Sequence, residues 1–344
     1  MIEIVALSDA MREVIGLAER VAVTDANVLV TGESGAGKDA LASFIHSRSR
    51  RAQQPLVKID CATLPADLLE AELFGYERGA FTGATDAKPG RLEAAHRGTL
   101  VLDEIAHLPL DAQAKLLRVI EHREFERLGG RQTIEVDARL VALTNADLKN
   151  AVERRAFRDD LFYRLNVVQI QLPPLRERAK DLDELSKGFL RAFAVKHGRV
   201  AKGISSEAQQ FLRAYDFPGN VRELANIIER AVIVSSDAQI EAADLPESTR
   251  VAAAQRKRKI NRPTLAEVEA EYIYETLSAT RGNKTEAARI LGISRKNLYE
   301  RLAREKAAVG SQRSEVRGQK SEVGGQRSEI RDQRSEGKTA DNGD

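Results

Sequence analysis

One heptapeptide governs what the rest of this chain must build. Gly32-Glu33-Ser34-Gly35-Ala36-Gly37-Lys38 matches G-x-x-x-x-G-K. It lies between a β-branched apolar run at 27–31 and a helical pattern over 39–47 in which Leu41, Phe44 and Ile45 share one side. Glycines in such a loop let successive backbone N–H groups face phosphate oxygens. The helix start adds the positive end of its dipole, and Lys38 reaches the β- and γ-phosphates. Asp39 follows, where the common pattern has a Ser or Thr for Mg²⁺, so some or all of the metal contact moves elsewhere.

The flanking pattern recurs. Short strand-like runs appear at 55–60, 99–104, 138–145 and 167–172, separated by helical patterns such as 112–122. Strands alternating with helices predict a parallel sheet covered on both faces, here an α/β domain over residues 1–172. After Pro173-Pro174 the strands stop, and 181–195, 205–214 and 220–234 read as amphipathic helices of a helical subdomain spanning 173–245. Residues 246–263 are polar, basic and bounded by prolines, which suits a linker. Residues 264–306 return to a helical period, with Leu265, Val268, Tyr272, Ile273 and Leu277 on one face. From Gln312 the heptads QRSEVRG, QKSEVGG, QRSEIRD and QRSEGKT repeat within 307–344. Each offers at most one apolar residue where a coiled-coil seam needs two, so the tail is expected to be disordered.

At 344 residues the length fits two or three domains of about 150 residues each. No apolar run approaches the roughly 18 residues of a membrane span, and the N-terminus lacks a signal peptide's basic and apolar regions. The single cysteine, Cys61, cannot form an internal disulfide and is expected to be a buried thiol, so a reduced cytoplasm is the expected compartment. The net charge of +2 conceals a division. Residues 1–249 carry 33 Lys and Arg against 38 Asp and Glu, net −5, whereas 250–306 carry 14 against 7, net +7; the tail is neutral. A basic module on an acidic body is the signature of an enzyme-like domain joined to a nucleic-acid-binding one.

Thr99-Leu100-Val101-Leu102-Asp103-Glu104 is an apolar strand ending in two carboxylates. Asp103 is placed to bind Mg²⁺ and Glu104 to polarise an attacking water. A later strand ends in Asn145, whose amide can hold that water or the γ-phosphate. Arg158 and Arg164 lie six residues apart, and one subunit's arginine can supply positive charge to a neighbour's γ-phosphate. Arg222, early in a helix, can fold back over the nucleotide. Together these make nucleotide hydrolysis the leading reaction.

Between the phosphate loop and the acid pair stands Gly79-Ala80-Phe81-Thr82-Gly83-Ala84. Phe81 and Thr82 sit between residues too small to bury them, which predicts a mobile loop presenting an aromatic and a hydroxyl to a partner. Here the chain closely resembles, over residues 5–306, the bacterial enhancer-binding proteins, the AAA+ activators of sigma-54 RNA polymerase. The resemblance implies an AAA+ P-loop ATPase with a helical lid, ring hexamers with ATP and Mg²⁺ between subunits, and GAFTGA loops that contact sigma-54 and remodel the closed promoter complex. Phe81 and Thr82 match the contacting positions. Lys38, Asp103, Glu104, Asn145, Arg158, Arg164 and Arg222 match the phosphate-loop lysine, the acid pair, sensor I, two candidate arginine fingers and sensor II. The acidic Asp39 is a family trait. Asp60 stands where relatives carry an Asn thought to restrain the catalytic Glu, and Phe217 replaces the usual Trp.

The C-terminal segment resembles the family's Fis-type helix-turn-helix over 264–306. The resemblance implies a first helix over 283–291, a turn at Gly292-Ile293 and a recognition helix over 294–302, with Ala287, Ala288, Leu291, Ile293 and Leu298 packing inside. Ser294, Arg295, Asn297 and Arg301 then face double-stranded DNA, while Lys284 and Lys296 contact its backbone. The apolar face of 265–277 is expected to pair two modules on a palindromic site. Two other readings stay open: a replication initiator or helicase loader, and a DNA-binding regulator that keeps the fold without catalysis. With the ATPase pattern starting near Met1, control is expected from a separate regulatory protein or from expression level.

Overall fold

The computed structural model describes residues 4–199, 203–235, 239–261, 265–280 and 282–302. They divide into two compact units, one ending at Lys257 and the other beginning at Arg258.

The first unit is built on five parallel strands: β1 Val28–Thr31, β2 Leu56–Asp60, β3 Thr99–Asp103, β4 Arg139–Thr144 and β5 Val168–Gln171, in the order β2-β3-β4-β1-β5. All five lie within a residue or so of the runs read from sequence. Period-two alternation sends Leu29, Leu100, Leu102, Leu140 and Ala142 to one face of the sheet. Val28, Val30, Val101, Val141 and Leu143 go to the other. Both faces of the three central strands are buried, as parallel sheets require, and each buried Val or Leu there contributes about 1.5–3 kcal/mol by leaving water.

The helix Asp9–Ala22 covers the second face through Met11, Val14, Ala18 and Val21. Its C-terminal carbonyls are satisfied from the sheet: Arg139, only 2% exposed, donates to Val21 O and Ala22 O at 2.8 Å each. A cation at a helix C-terminus also opposes the negative end of the dipole.

The helices Ala179–Lys196, Ser206–Ala214 and Asn220–Val234 form the lid around Phe189, Leu212, Phe217, Leu224 and Ile228. Phe217 is fully buried and sits edge-on to Tyr215 at 5.0 Å, so it fills its site despite being smaller than Trp. The segment expected as a linker, 246–263, takes helical form over Glu247–Asn261. Its Ala, Lys, Arg and Gln are good helix formers, which its prolines and charge concealed.

In the second unit the helix Leu265–Ala279 is followed by Lys284–Ile290 and a further helix from 295, with Gly292 at φ +65° in the turn between them. Asn283 caps the middle helix by accepting from Thr285 N and Glu286 N. Ile273, Ala287, Ala288 and Leu298 are buried together, with Leu277, Leu291 and Ile293 packed against them. The expected dimer face is therefore divided. Ile273 and Leu277 serve the module's own small core, and Tyr272 remains 56% exposed. Two short helices with alanines at their crossing need a third to bury anything. The heptad tail lies outside the described residues.

Candidate active site

Parallel strands place all their carboxyl ends on one edge of the sheet, and the candidate residues follow three of those ends. The loop 32–37 leaves β1, Asp103 and Glu104 end β3, and Asn145 follows β4. Lys38, Asp39, Asp103, Glu104, Ser34 and Arg222 line one cleft of about 220 Å³.

Lys38 is 7% exposed and donates to Gly32 O at 3.0 Å and Glu33 O at 3.3 Å. Glu104 Oε1 stands 3.7 Å from its ammonium. Glu104 has φ +50°, a conformation L residues adopt only when their surroundings impose it. Its N–H donates to Asp103 Oδ1 at 3.0 Å, and its Oε2 accepts from the Asn145 N–H at 3.2 Å. The strand-end asparagine thus touches the acid through its backbone. Asp60, beside Asp103 in the sheet register, turns its carboxylate to its own loop and accepts from Ala62 N at 2.9 Å.

The lid closes onto the phosphate loop. Arg222 donates to Ser34 Oγ at 3.1 Å, and Val221 N to Gly35 O at 3.0 Å. Asn220, fully buried at the head of the lid helix, donates to Glu33 Oε2 and Ser34 O at 3.0 Å each and accepts from Leu175 N at 2.8 Å. Arg176 forks onto the Glu33 carboxylate at 2.7 and 3.0 Å. These hydrogen bonds from Arg176 and then Asn220 hold Glu33 below the usual carboxylate range. Neither Arg176 nor Asn220 was found from sequence, because Glu33, which both reach, lies more than 140 residues away.

Two further features escaped the sequence reading. An apolar cavity of about 180 Å³ adjoins Gly37 and is lined by Ile4, Val5, Leu41, Leu172, Leu185 and Phe189. Its walls come from separate segments spread from Ile4 to Val221, with no shared motif. The second is Lys58, whose ammonium pairs with Asp39 and, at 2.7 Å, with Asp103 Oδ2. Burial opposes its charge, but hydrogen bonds to Asp103 and Asp39 outweigh that and raise its pKa above the ordinary value.

The two candidate fingers stand apart from the cleft. Arg158 forks onto Asp160 at 2.7 and 3.0 Å, and Arg164 donates to Glu121 at 3.0 Å; both are well exposed. Cys61 is 2% exposed, and burial pushes its thiol up to about 12, so it is no nucleophile.

The loop 79–84 is a closed turn. Gly79 N donates to Ala84 O at 2.9 Å, and Gly79 and Gly83 take φ of +82° and +111°. Ala84 is buried while Thr82 is exposed. Phe81 is 41% exposed and packs edge-on against Tyr76 at 5.0 Å, a support its immediate neighbours did not reveal. The base of the loop is tied to the hairpin Glu124–Glu126 and Thr133–Glu135. Glu77 N donates to Leu128 O at 2.9 Å, and Arg127 bridges Glu77 and Glu93.

In the second unit Arg295, Lys296 and Asn297 are exposed. Ser294 is exposed too, and its Oγ accepts from Asn297 N at 3.2 Å, capping the helix that begins at 295. Arg301 donates to Asn297 Oδ1 at 3.1 Å, and Lys284 sits over the Tyr299 ring at 4.8 Å.

A parallel sheet carrying a phosphate loop, an acid pair and a lid arginine in one cleft defines a P-loop NTPase of the AAA+ class. Residues 4–171 match the sigma-54 interaction domain, 176–262 the AAA+ ATPase lid domain and 264–304 the bacterial regulatory proteins of the Fis family. The chain belongs to the family of sigma-54-dependent activators. It is 46% identical to the regulatory protein AtoC of Escherichia coli (strain K12) over 303 residues, covering 86% of this chain and 66% of that one. It is 45% identical to the transcriptional regulatory protein FlbD of Caulobacter vibrioides over 309 residues, covering 85% and 68%. The chain thus spans about two thirds of these relatives' length. The crystal structure of NtrX from Brucella abortus in complex with ATP superposes with a TM-score of 0.67 at 34% identity, over 88% of this chain and 69% of that one. Among the described residues no helix is long and apolar enough to cross a membrane.

Proposed function

We propose that this chain activates transcription by hydrolysing ATP in the cleft between sheet and lid, and that it spends the energy remodelling a sigma-54 RNA polymerase closed complex. The observation that carries this reading is the meeting of Lys38, Asp103, Glu104 and Arg222 in one cleft, in a chain whose loop 79–84 stands exposed on the same unit. The phosphate-loop amides and Lys38 hold the β- and γ-phosphates, and the apolar cavity beside Gly37 takes the flat base. Glu104, steadied by the Asn145 N–H, accepts the proton of the attacking water. Arg222 follows the phosphates from the lid.

Asp39 and Asp103 line one cleft and fit Mg²⁺, an ion that takes one or two carboxylates plus substrate phosphates. A cation already bridges the two acids in the form of the Lys58 ammonium. Bound there, the metal would neutralise charge on the phosphate oxygens.

Arg158 and Arg164 are exposed and away from their own cleft, which suits fingers that complete a neighbour's site in a ring. Phe81 and Thr82 are the proposed contact to sigma-54. Arg295, Asn297 and Arg301 are the proposed readers of enhancer DNA, with Lys284 and Lys296 on its phosphates. Ser294 positions them as a cap. Two variants separate the functions. Lys38→Ala should lower ATPase by about 10²-fold or more while leaving DNA binding intact, whereas Thr82→Ala should keep ATPase within about twofold and lose activation. A Lys38→Ala protein that still activates in an ATP-dependent way contradicts the reading.

A further inference from the structure

Lys58 belongs to none of the roles assigned so far, yet it touches two of the residues that define the site. It lies on β2, two residues before Asp60, so strand alternation places both on the same face of the sheet, toward the cleft edge. Its ammonium makes a salt bridge to Asp103 Oδ2 at 2.7 Å and another to Asp39 Oδ1. No other cation lies within ion-pair distance of either acid among the described residues; Lys38 is paired with Glu104 instead. The side chains of Lys58 and Asp39 are about half exposed, at 43% and 53%, while Asp103 is 15% exposed. The lysine therefore reaches inward from the rim to the pair of carboxylates that a divalent ion would use.

Two carboxylates facing one cleft repel each other and any incoming phosphate. A divalent ion removes that repulsion, and so, in part, does an ammonium in the same place. Resting on the Mg²⁺–ATP reading above, we propose that Lys58 is a built-in cation of this site. It offsets the charge of Asp39 and Asp103 before metal arrives, swings out toward solvent when metal enters, and thereby lessens how strongly nucleotide binding depends on Mg²⁺. Lys58 is a positioning residue in this sense, since it acts through the two acids and the metal they hold. Binding of metal and of nucleotide are thermodynamically linked. A resident cation that metal must displace lowers the coupling between the two.

The test is the ratio of ADP dissociation constants in EDTA and in saturating Mg²⁺, read with a fluorescent ADP on the full chain. Lys58→Met keeps the length of the side chain and removes its charge, and should raise that ratio roughly tenfold over wild type, the scale expected for losing two partly exposed ion pairs. Lys58→Arg keeps the charge and should stay near the wild-type ratio. A ratio in Lys58→Met equal to or below wild type overturns the proposal, as does a Lys58→Arg protein that behaves like Lys58→Met. A purely structural role for Lys58 would weaken binding equally in both conditions and leave the ratio unmoved, which also counts against it. Asp103→Asn separates this proposal from the reading beneath it. It should bring the ratio toward one, and if it leaves the Mg²⁺ effect intact, the placement of the metal fails and takes the role of Lys58 with it.

Discussion

Arg158 and Arg164, the proposed fingers, are not brought to the phosphate cleft of their own subunit. Arg158 heads the helix Asp159–Leu165 and is held by Asp160, two residues on, in a local fork that any isolated subunit can form. In the proposed ring, exchange of that partner for a γ-phosphate needs a second subunit, so the cost of losing the arginine should appear only across an interface. Arg158→Ala is predicted to bind ATP nearly as well as wild type and to lose about 10³-fold or more in turnover. Mixing it with Lys38→Ala, itself inactive, should restore measurable ATPase, because some interfaces then pair an intact phosphate loop with an intact finger. No recovery on mixing would place Arg158 outside the neighbour's site. Glu104, the proposed general base, accepts from the Asn145 N–H and faces Lys38, while Asp60 is committed to the turn at Ala62. Restraint of Glu104 therefore comes from the strand-end backbone, which a side-chain replacement at position 60 does not remove.

At the scale of elements, the strands and the lid helices were legible because their signal is periodic and local. Leu100 and Leu102 alternate with Val101, and the structure sends them to opposite faces. The phosphate loop was legible because its glycines and lysine are contiguous. What sequence could not supply was the partner of each side chain across the fold. Asn220 and Arg176 reach Glu33 over distances in sequence that no pattern spans, and the apolar cavity beside Gly37 is walled by unrelated segments spread from Ile4 to Val221. Lys58 was the exception that could have been found, since strand alternation aligns it with Asp60. The helix Glu247–Asn261 was hidden by its charge and flanking prolines. Gly35 shows how tightly loop and lid are joined: it takes φ +73°, and an added Cβ would lie 2.2 Å from Gly219 O. Gly35→Ala costs about 1–3 kcal/mol in backbone strain alone, and the backbone clash must also push the lid away. Nucleotide affinity should fall at least tenfold. Gly16→Ala, inside the helix Asp9–Ala22 with open space at its Cβ, should instead raise stability by about 0.5–1 kcal/mol in urea titrations. A Gly35→Ala protein with wild-type affinity would show that the lid contact is dispensable.

Over the whole molecule, charge and chemistry are divided along the chain. The body through residue 249 has a net charge of −5 and holds the nucleotide cleft and the exposed Phe81 and Thr82. Residues 250–306 carry +7 and include the exposed Arg295, Lys296 and Asn297. Under the proposed function, phosphate affinity for DNA should reside after residue 250, and deleting that end should remove salt-dependent DNA binding while leaving the ATPase. The reading as a whole joins three claims, that ATP is cleaved, that the loop 79–84 passes on the result, and that the target is a sigma-54 complex. One measurement takes all three together: open-complex formation by purified protein, followed by permanganate footprinting, on a sigma-54 promoter and on a sigma-70 promoter. The prediction is strand opening at the sigma-54 promoter with ATP, none with a non-hydrolysable analogue, and none with Thr82→Ala. Opening that proceeds without hydrolysis, or that occurs at the sigma-70 promoter while the sigma-54 promoter stays closed, would contradict it.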